Sequence, residues 1–266
     1  MTIRQALTEG QKILDDAAVP GSRLDTELLL AHALGQDRAW LLVHDENELP
    51  KPTRASFDQL IIKRADRTPV VHLTGKREFY GLDFEITPSV LTPRVETEAM
   101  VEWAIKYAPA NSRLIDIGTG SGAIAIAIAS RRPDLSVAAT EISPQALAVA
   151  KRNATTHQAA INFVISDLWD NVSDSFETVV TNLPYLKNDA SLMPEVTREP
   201  AVALFGGPDG LDLYRRFLDG IHAHTTPHAY LFTESDPWQH DELTHLAQQC
   251  GFRTLEAGYF VLGFKK

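Results

Sequence analysis

Residues 113–117 read Arg-Leu-Ile-Asp-Ile and run straight into Gly118-Thr119-Gly120-Ser121-Gly122, with an Ala/Ile-rich stretch to about Ser130 behind them. An apolar strand, a glycine turn and a helix in immediate succession open a βαβ unit, which commits the chain to a parallel sheet with helices on both faces. The glycines let the backbone pass close to a ligand. The free amides of the helix N-terminus then face that ligand. The spacing is G-x-G-x-G rather than the G-x-G-x-x-G of a dinucleotide pyrophosphate site, so a nicotinamide oxidoreductase is disfavoured.

The same rhythm continues to the C-terminus. Strands are expected at 135–141, 161–165, 178–181 and 229–233, and helices at 144 onward, 211–221 and 239–250. Ser143-Pro144 is a helix start with Ser as cap and Pro at the first helical position. Residues 252–256 and 259–264 are strands with no helix between them, which predicts a hairpin and an antiparallel last strand at the sheet edge.

Residues 1–68 have a different texture. Ile3, Leu7, Ile13, Leu14 and Ala17 follow helical spacing, as do Leu24, Leu28, Ala31 and Leu34, with Gly35 placed to end the second helix. Asp37 and Thr53 are candidate caps for two further helices, and Arg67-Thr68-Pro69 stops the pattern. A hairpin is expected over 79–86. Pro88 and Pro93 make the following stretch an irregular connector. The division expected is therefore a helical domain at 1–68, a connector with a hairpin at 69–94, and an α/β domain at 95–266.

Composition narrows the class. The 266 residues carry a net charge of −10, which argues against gripping nucleic acid through phosphates. Cys250 is the one cysteine, so disulfide frameworks and multi-Cys metal sites are excluded. The nine histidines show no ligand spacing, and no metal site is expected. No apolar run approaches the ~18 residues of a membrane span. The first ten residues lack a signal-peptide core, and a cytoplasmic protein is expected.

Three further positions fall at expected strand ends, where an open α/β sheet binds its ligand. Glu141 lies 23 residues after Gly118, near the spacing at which an acid binds ribose hydroxyls. Asp167 could accept from an adenine amino group, with Leu168 against the ring. Thr181-Asn182-Leu183-Pro184-Tyr185 then resembles the Asn-Pro-Pro-Tyr loop of amino-methyltransferases that use S-adenosylmethionine. A planar amide or aromatic amine has two N–H donors and a weakly nucleophilic nitrogen, so two acceptors are needed to orient it. The Asn182 side-chain carbonyl supplies one and, by resemblance, the Leu183 backbone carbonyl the other. Tyr185 would pack on the flat face of the target group. Leu183 stands where Pro is usual; the following Pro184 still favours extended backbone there.

The resemblance covers nearly the whole chain. Pro69-Val70-Val71-His72-Leu73-Thr74-Gly75, Arg77-Glu78-Phe79-Tyr80, Leu91-Thr92-Pro93-Arg94-Val95-Glu96-Thr97-Glu98, Glu199-Pro200, Ala203-Leu204 and Gly206-Gly207-Pro208-Asp209-Gly210-Leu211 are similar to segments of the PrmC/HemK family, glutamine N5-methyltransferases of peptide chain release factors. The chain departs from that family in having Glu141 where Asp is more usual, and Ala257-Gly258-Tyr259-Phe260 where a charged pair follows the glycine.

That resemblance implies a class I S-adenosylmethionine-dependent methyltransferase fold, with a seven-stranded mostly parallel sheet, an antiparallel edge strand and a small N-terminal helical bundle. It implies that Asp116, Gly118, Thr119, Gly120, Ser121, Gly122, Glu141, Asp167, Leu168 and Asn182 hold S-adenosylmethionine. Asn182, Leu183, Pro184 and Tyr185 would hold the glutamine of a Gly-Gly-Gln segment in a class-I release factor. The helical domain would dock the body of that partner. No membrane, no direct nucleic acid contact and a monomer are expected. The alternatives are a DNA adenine N6-methyltransferase, whose amine needs the same two acceptors, and a non-catalytic adaptor that binds the cofactor.

Overall fold

The computed structural model describes every residue from Met1 to Lys266. The chain divides into two compact units. One comprises Met1–Lys76 with Leu192–Arg198; the other comprises Arg77–Ser191 with Glu199–Lys266.

The first unit is helical: α1 (Ile3–Asp16), α2 (Ser22–Leu34), α3 (Arg38–Val43), α4 (Lys51–Ala65) and α5 (Val70–Thr74). Asp37 caps α3 by accepting from the Trp40 amide at 2.7 Å. Thr53 caps nothing, because α4 already starts at Lys51 behind Pro50. The buried stripe of α1 is Ile3, Ala6, Gly10 and Leu14, and Ile13 and Leu24 are exposed. Gly10 explains the shift of face. A Cβ there would stand 2.8 Å from the Phe57 ring, so its bareness lets α4 approach. The helix α5 was not expected. Its length of 5 residues leaves too little periodicity to read.

The segment Leu192–Arg198 belongs to this unit and not to the α/β domain that its sequence position suggests. Charge holds it. Arg64 is buried between Asp25 at 2.7 Å and Glu195 at 2.8 Å, and Arg67 donates twice to Glu195, at 2.7 and 2.8 Å. Hydrogen bonding from Arg67, reinforced by Arg64 against the cost of burial, lowers the Glu195 carboxyl to about 2 from the usual 4.5. A depressed carboxyl contributes stability above its unfolded pKa and loses it as pH falls through the folded value. Glu195→Gln should therefore cost about 2 kcal/mol at pH 7, with the deficit shrinking between pH 4.5 and about 2. Urea melts of both proteins across that range check it.

The second unit begins with a hairpin, β1 (Lys76–Phe79) and β2 (Leu82–Glu85), followed by α6 (Glu98–Tyr107). Then come β3 (Arg113–Ile117), α7 (Ala123–Arg131), β4 (Ser136–Glu141), α8 (Pro144–Thr156), β5 (Ile161–Ile165) and β6 (Phe176–Thr181). The chain closes with α9 (Asp212–Ile221), β7 (Thr225–Glu234), α10 (His240–Gln249), β8 (Arg253–Ala257) and β9 (Val261–Lys265). Ser143 caps α8, accepting from the Ala146 amide at 3.2 Å.

The seven strands lie in the order β5-β4-β3-β6-β7-β9-β8. All pairings from β5 to β7 are parallel, and β9 is antiparallel to both neighbours. The antiparallel strand is inserted one place in from the edge, between β7 and β8. A short turn lets the chain reverse and pair back while still satisfying the β7 ladder. One core beside the sheet gathers Trp169, Tyr214, Phe217, Leu231 and Phe264. The chain moves outward from β3 through β4 to β5, then returns to β6 on the other side of β3. A crevice opens at such a reversal, beyond the strands' C-terminal ends.

Candidate active site

Four strand ends meet at that crevice: 118–122 after β3, Glu141 closing β4, Asp167 and Leu168 after β5, and 182–185 after β6. A cavity of 420 Å³ is lined by Gly118, Glu141, Asp167, Leu168, Asn182, Leu183 and Pro184 among others. A second cavity, of 50 Å³, is lined by Thr119, Gly120, Ser121, Thr97, Arg94 and Phe79 among others. Gly118 and Asn182 line both.

The walls are preset by backbone bonds. Glu141 is buried, and its two carboxylate oxygens accept from the Gly120 and Ser143 amides, each at 2.9 Å. Its longer side chain thus reaches back to brace the glycine loop. The loop needs left-handed backbone at Gly118 and Gly120, with φ of +75° and +57°. Leu168 also has positive φ, +48°, which is strained for a branched side chain. Its carbonyl accepts from Ser166 Oγ at 3.0 Å, which helps hold the strain. Arg216, from α9, donates to Asp167 Oδ2 at 2.8 Å and fixes that carboxylate's direction. Nothing local in the sequence pairs residues 49 apart.

Three expected site residues stand elsewhere. Asp116 is fully buried behind the loop, accepting from Thr119 Oγ1 at 2.6 Å. Burial raises its carboxyl to about 7, with the charge of Glu141 adding to the shift. Gly122 lines neither cavity; a Cβ there would stand 3.2 Å from the Ala150 Cβ, so it serves the packing of α7 on α8. Tyr185 is half-buried, and its hydroxyl donates to Glu234 Oε1 at 3.1 Å. Burial, with Glu234 beside it, pushes that phenol well above its ordinary value.

Leu183 does two jobs. Its side chain is buried in the core beneath the site, and a Cβ on Gly118 would lie 3.3 Å from its Cδ2. Its carbonyl is 3.5 Å from the Tyr214 hydroxyl, whose stronger bond goes to the Glu234 carbonyl. The acceptor therefore keeps lone-pair capacity for another donor. The segment 206–210 backs this loop. The Gly206 amide donates to Leu186 O at 2.8 Å, and Gln239 Nε2 donates to the carbonyls of Tyr185 and Asp209, each at 3.0 Å.

A parallel sheet with this reversal, a glycine loop, an acid on the second strand and an acceptor-rich loop on the fourth defines a class I methyltransferase. Residues 5–75 match the family model of the PrmC N-terminal domain, and residues 97–202 that of the methyltransferase small domain. Among solved structures, a 16S rRNA methyltransferase of Thermus thermophilus, in complex with AdoMet and guanosine, shares the fold with a TM-score of 0.55 at 18% identity, covering 72% of this chain and 49% of that one. The release factor glutamine methyltransferase of Geobacter sulfurreducens is 39% identical over 94% of this chain and 90% of its own. That of Moorella thermoacetica is 40% identical, over 94% and 91%. The chain belongs to the release factor glutamine methyltransferase family.

Proposed function

We propose that this chain methylates the side-chain nitrogen (N5) of a glutamine in the Gly-Gly-Gln segment of class-I peptide chain release factors. S-adenosylmethionine is the methyl donor. The observation that carries the reading is the pair of acceptors beside the larger cavity, the Asn182 side chain, which also borders the second cavity, and the Leu183 carbonyl.

The residues present fit the cofactor. Glu141 has carboxylate lone pairs left for hydroxyl donors after its two backbone bonds. Asp167, held through Oδ2 by Arg216, has Oδ1 available for an amino group. Leu168 and Ile142 supply apolar surface. When bound, S-adenosylmethionine presents an electrophilic methyl on a sulfonium. The work of the protein is orientation. An amide nitrogen is a poor nucleophile because its lone pair is delocalised into the carbonyl. Acceptance of both its protons, by Asn182 and Leu183, returns density to nitrogen and fixes its line of approach. No general base is required before bond formation, since the proton is acidic only afterwards.

The test combines the protein, a class-I release factor and a labelled methyl donor, with the product mapped by mass spectrometry. One methyl group on the Gly-Gly-Gln glutamine is expected. Label elsewhere, or none from protein that binds the cofactor, would sink the reading. The helical unit is proposed to dock the body of the release factor, supported by the exposed Leu42 and Val43 of α3, at 67% and 79% accessibility. Leu42→Glu with Val43→Glu should raise KM for the release factor and leave kcat within about twofold. The absence of direct nucleic acid contact accords with the net charge of −10, and a monomer is proposed with it. No helix is long and apolar enough to cross a membrane.

A further inference from the structure

Glu234 ends β7 at 2% exposure, an acid placed deep beside the catalytic loop. Burial raises its carboxyl pKa, while hydrogen bonds from Thr97, Tyr185 and Asn182 act to lower it. Its Oε2 accepts from Thr97 Oγ1 at 2.6 Å, and its Oε1 from the Tyr185 hydroxyl at 3.1 Å. Thr97 is itself 3% exposed and lies 3.4 Å from Asn182 Nδ2. The side chain at the junction of the cavities is thus tied to the acid both directly and through the Thr97 hydroxyl.

A hydroxyl has one hydrogen. Both carboxyl oxygens of Glu234 accept from hydroxyls, and at 2.6 Å its Oε2 takes the Thr97 hydrogen. Thr97 Oγ1 then has only lone pairs to offer Asn182. The amide must face it with its NH2, because the reverse rotamer would set two acceptors against each other in a buried place. Its carbonyl is left on the opposite side. Tyr185, tied to the other carboxylate oxygen, fixes the far end of the same loop.

We propose that Thr97 and Glu234 are positioning residues that set the direction of the Asn182 amide, so that its carbonyl and not its NH2 meets the substrate amide. This rests on the reading of Asn182 as a substrate acceptor. Neither residue touches the reacting atoms, and the role is carried by hydrogen-bond polarity alone. A methyl group in place of the Thr97 hydroxyl removes one of the two acceptors that hold the NH2 and loosens the amide's direction, and a turned amide presents donors to a substrate that also presents donors.

The test is T97V, with T97S as rescue. T97V should lower kcat on the release factor about 10- to 100-fold. Cofactor affinity, KM and the far-UV circular dichroism should stay near wild type. T97S should restore kcat to within about threefold. Independently of substrate, NMR of the Asn182 side-chain amide, assigned by its loss in N182A, should show slower proton exchange in wild type and T97S than in T97V. Wild-type kcat in T97V, an equal loss in T97S, or a fall in kcat with unchanged amide exchange would each overturn the proposal. Should T97V fail to fold, E234Q replaces it. Thr97 and Tyr185 bond different oxygens of Glu234, and a glutamine meets one of them with NH2 in place of an acceptor, so the same losses are expected and the same outcomes overturn. A wild-type protein that leaves the release factor unmethylated defeats the functional reading instead, and the amide-exchange comparison still decides the positioning.

Discussion

Asn182→Ala should lower kcat on the release factor by about 10³-fold or more, while cofactor affinity changes by less than about tenfold. The asymmetry follows from where the side chain stands. The large cavity has other polar anchors in Glu141 and Asp167, each already braced by amides or by Arg216. Asn182 is the side chain common to both cavities, and it alone supplies a side-chain carbonyl there among 182–185. Its loss leaves the Leu183 carbonyl as a single acceptor. One hydrogen bond fixes distance but not the rotation of a planar amide, and the nitrogen lone pair returns to its own carbonyl. Single-turnover transfer with saturating cofactor measures the first quantity and calorimetry the second. A variant with wild-type turnover removes Asn182 from the mechanism.

Gly210→Ala should cost comparably, through sterics and not chemistry. A Cβ there would sit 2.0 Å from the Tyr185 carbonyl oxygen and 2.5 Å from Gln239 Nε2, and the backbone is left-handed with φ of +75°. Gly206 is nearly as tight, with 2.3 Å to the Pro184 carbonyl oxygen. The two backbones lie against each other with no side chain between them. Inserting a methyl group forces the 182–185 loop away from its support and breaks the Gln239 bridge. A loss of about 3 kcal/mol in stability and at least about 100-fold in kcat is expected, read by urea melts and the same transfer assay. Gly251→Ala is the control. It too has positive φ, +78°, but nothing within 4 Å, so only the small conformational penalty should appear.

What the sequence disclosed and what it hid divide along range. The glycine loop, the caps at Asp37 and Ser143, and the strand ends at Glu141 and Asp167 are local patterns, written in adjacent residues. Their placement around one crevice follows from the strand order, which the βαβ rhythm constrains. Thr97, Glu234, Tyr214 and Arg216 were invisible because each acts through a partner far along the chain. Thr97 and Glu234 are 137 residues apart, and Asn182 and Thr97 are 85 apart. A threonine just ahead of a helix and a glutamate at a strand end carry no mark of that. The segment 206–211 was recognisable by resemblance, yet its purpose emerges only from the close approach of its backbone to 184–185. On α1, periodicity favoured Ile13 over Gly10. The reverse holds because close helix packing rewards the absence of a side chain.

The membership of Leu192–Arg198 in the helical unit has a consequence for how this protein can be taken apart. The chain passes between the units three times, after Lys76, after Ser191 and after Arg198. No single cut yields either unit whole. A fragment starting at Arg77 would carry Glu195 away from Arg64 and Arg67, and one ending at Lys76 would keep both cations without that acid. Any recombination that exchanged the helical unit between relatives would need three junctions, with the short 192–198 loop travelling alongside the helices. The helices and the 192–198 segment are thereby bound to be inherited together.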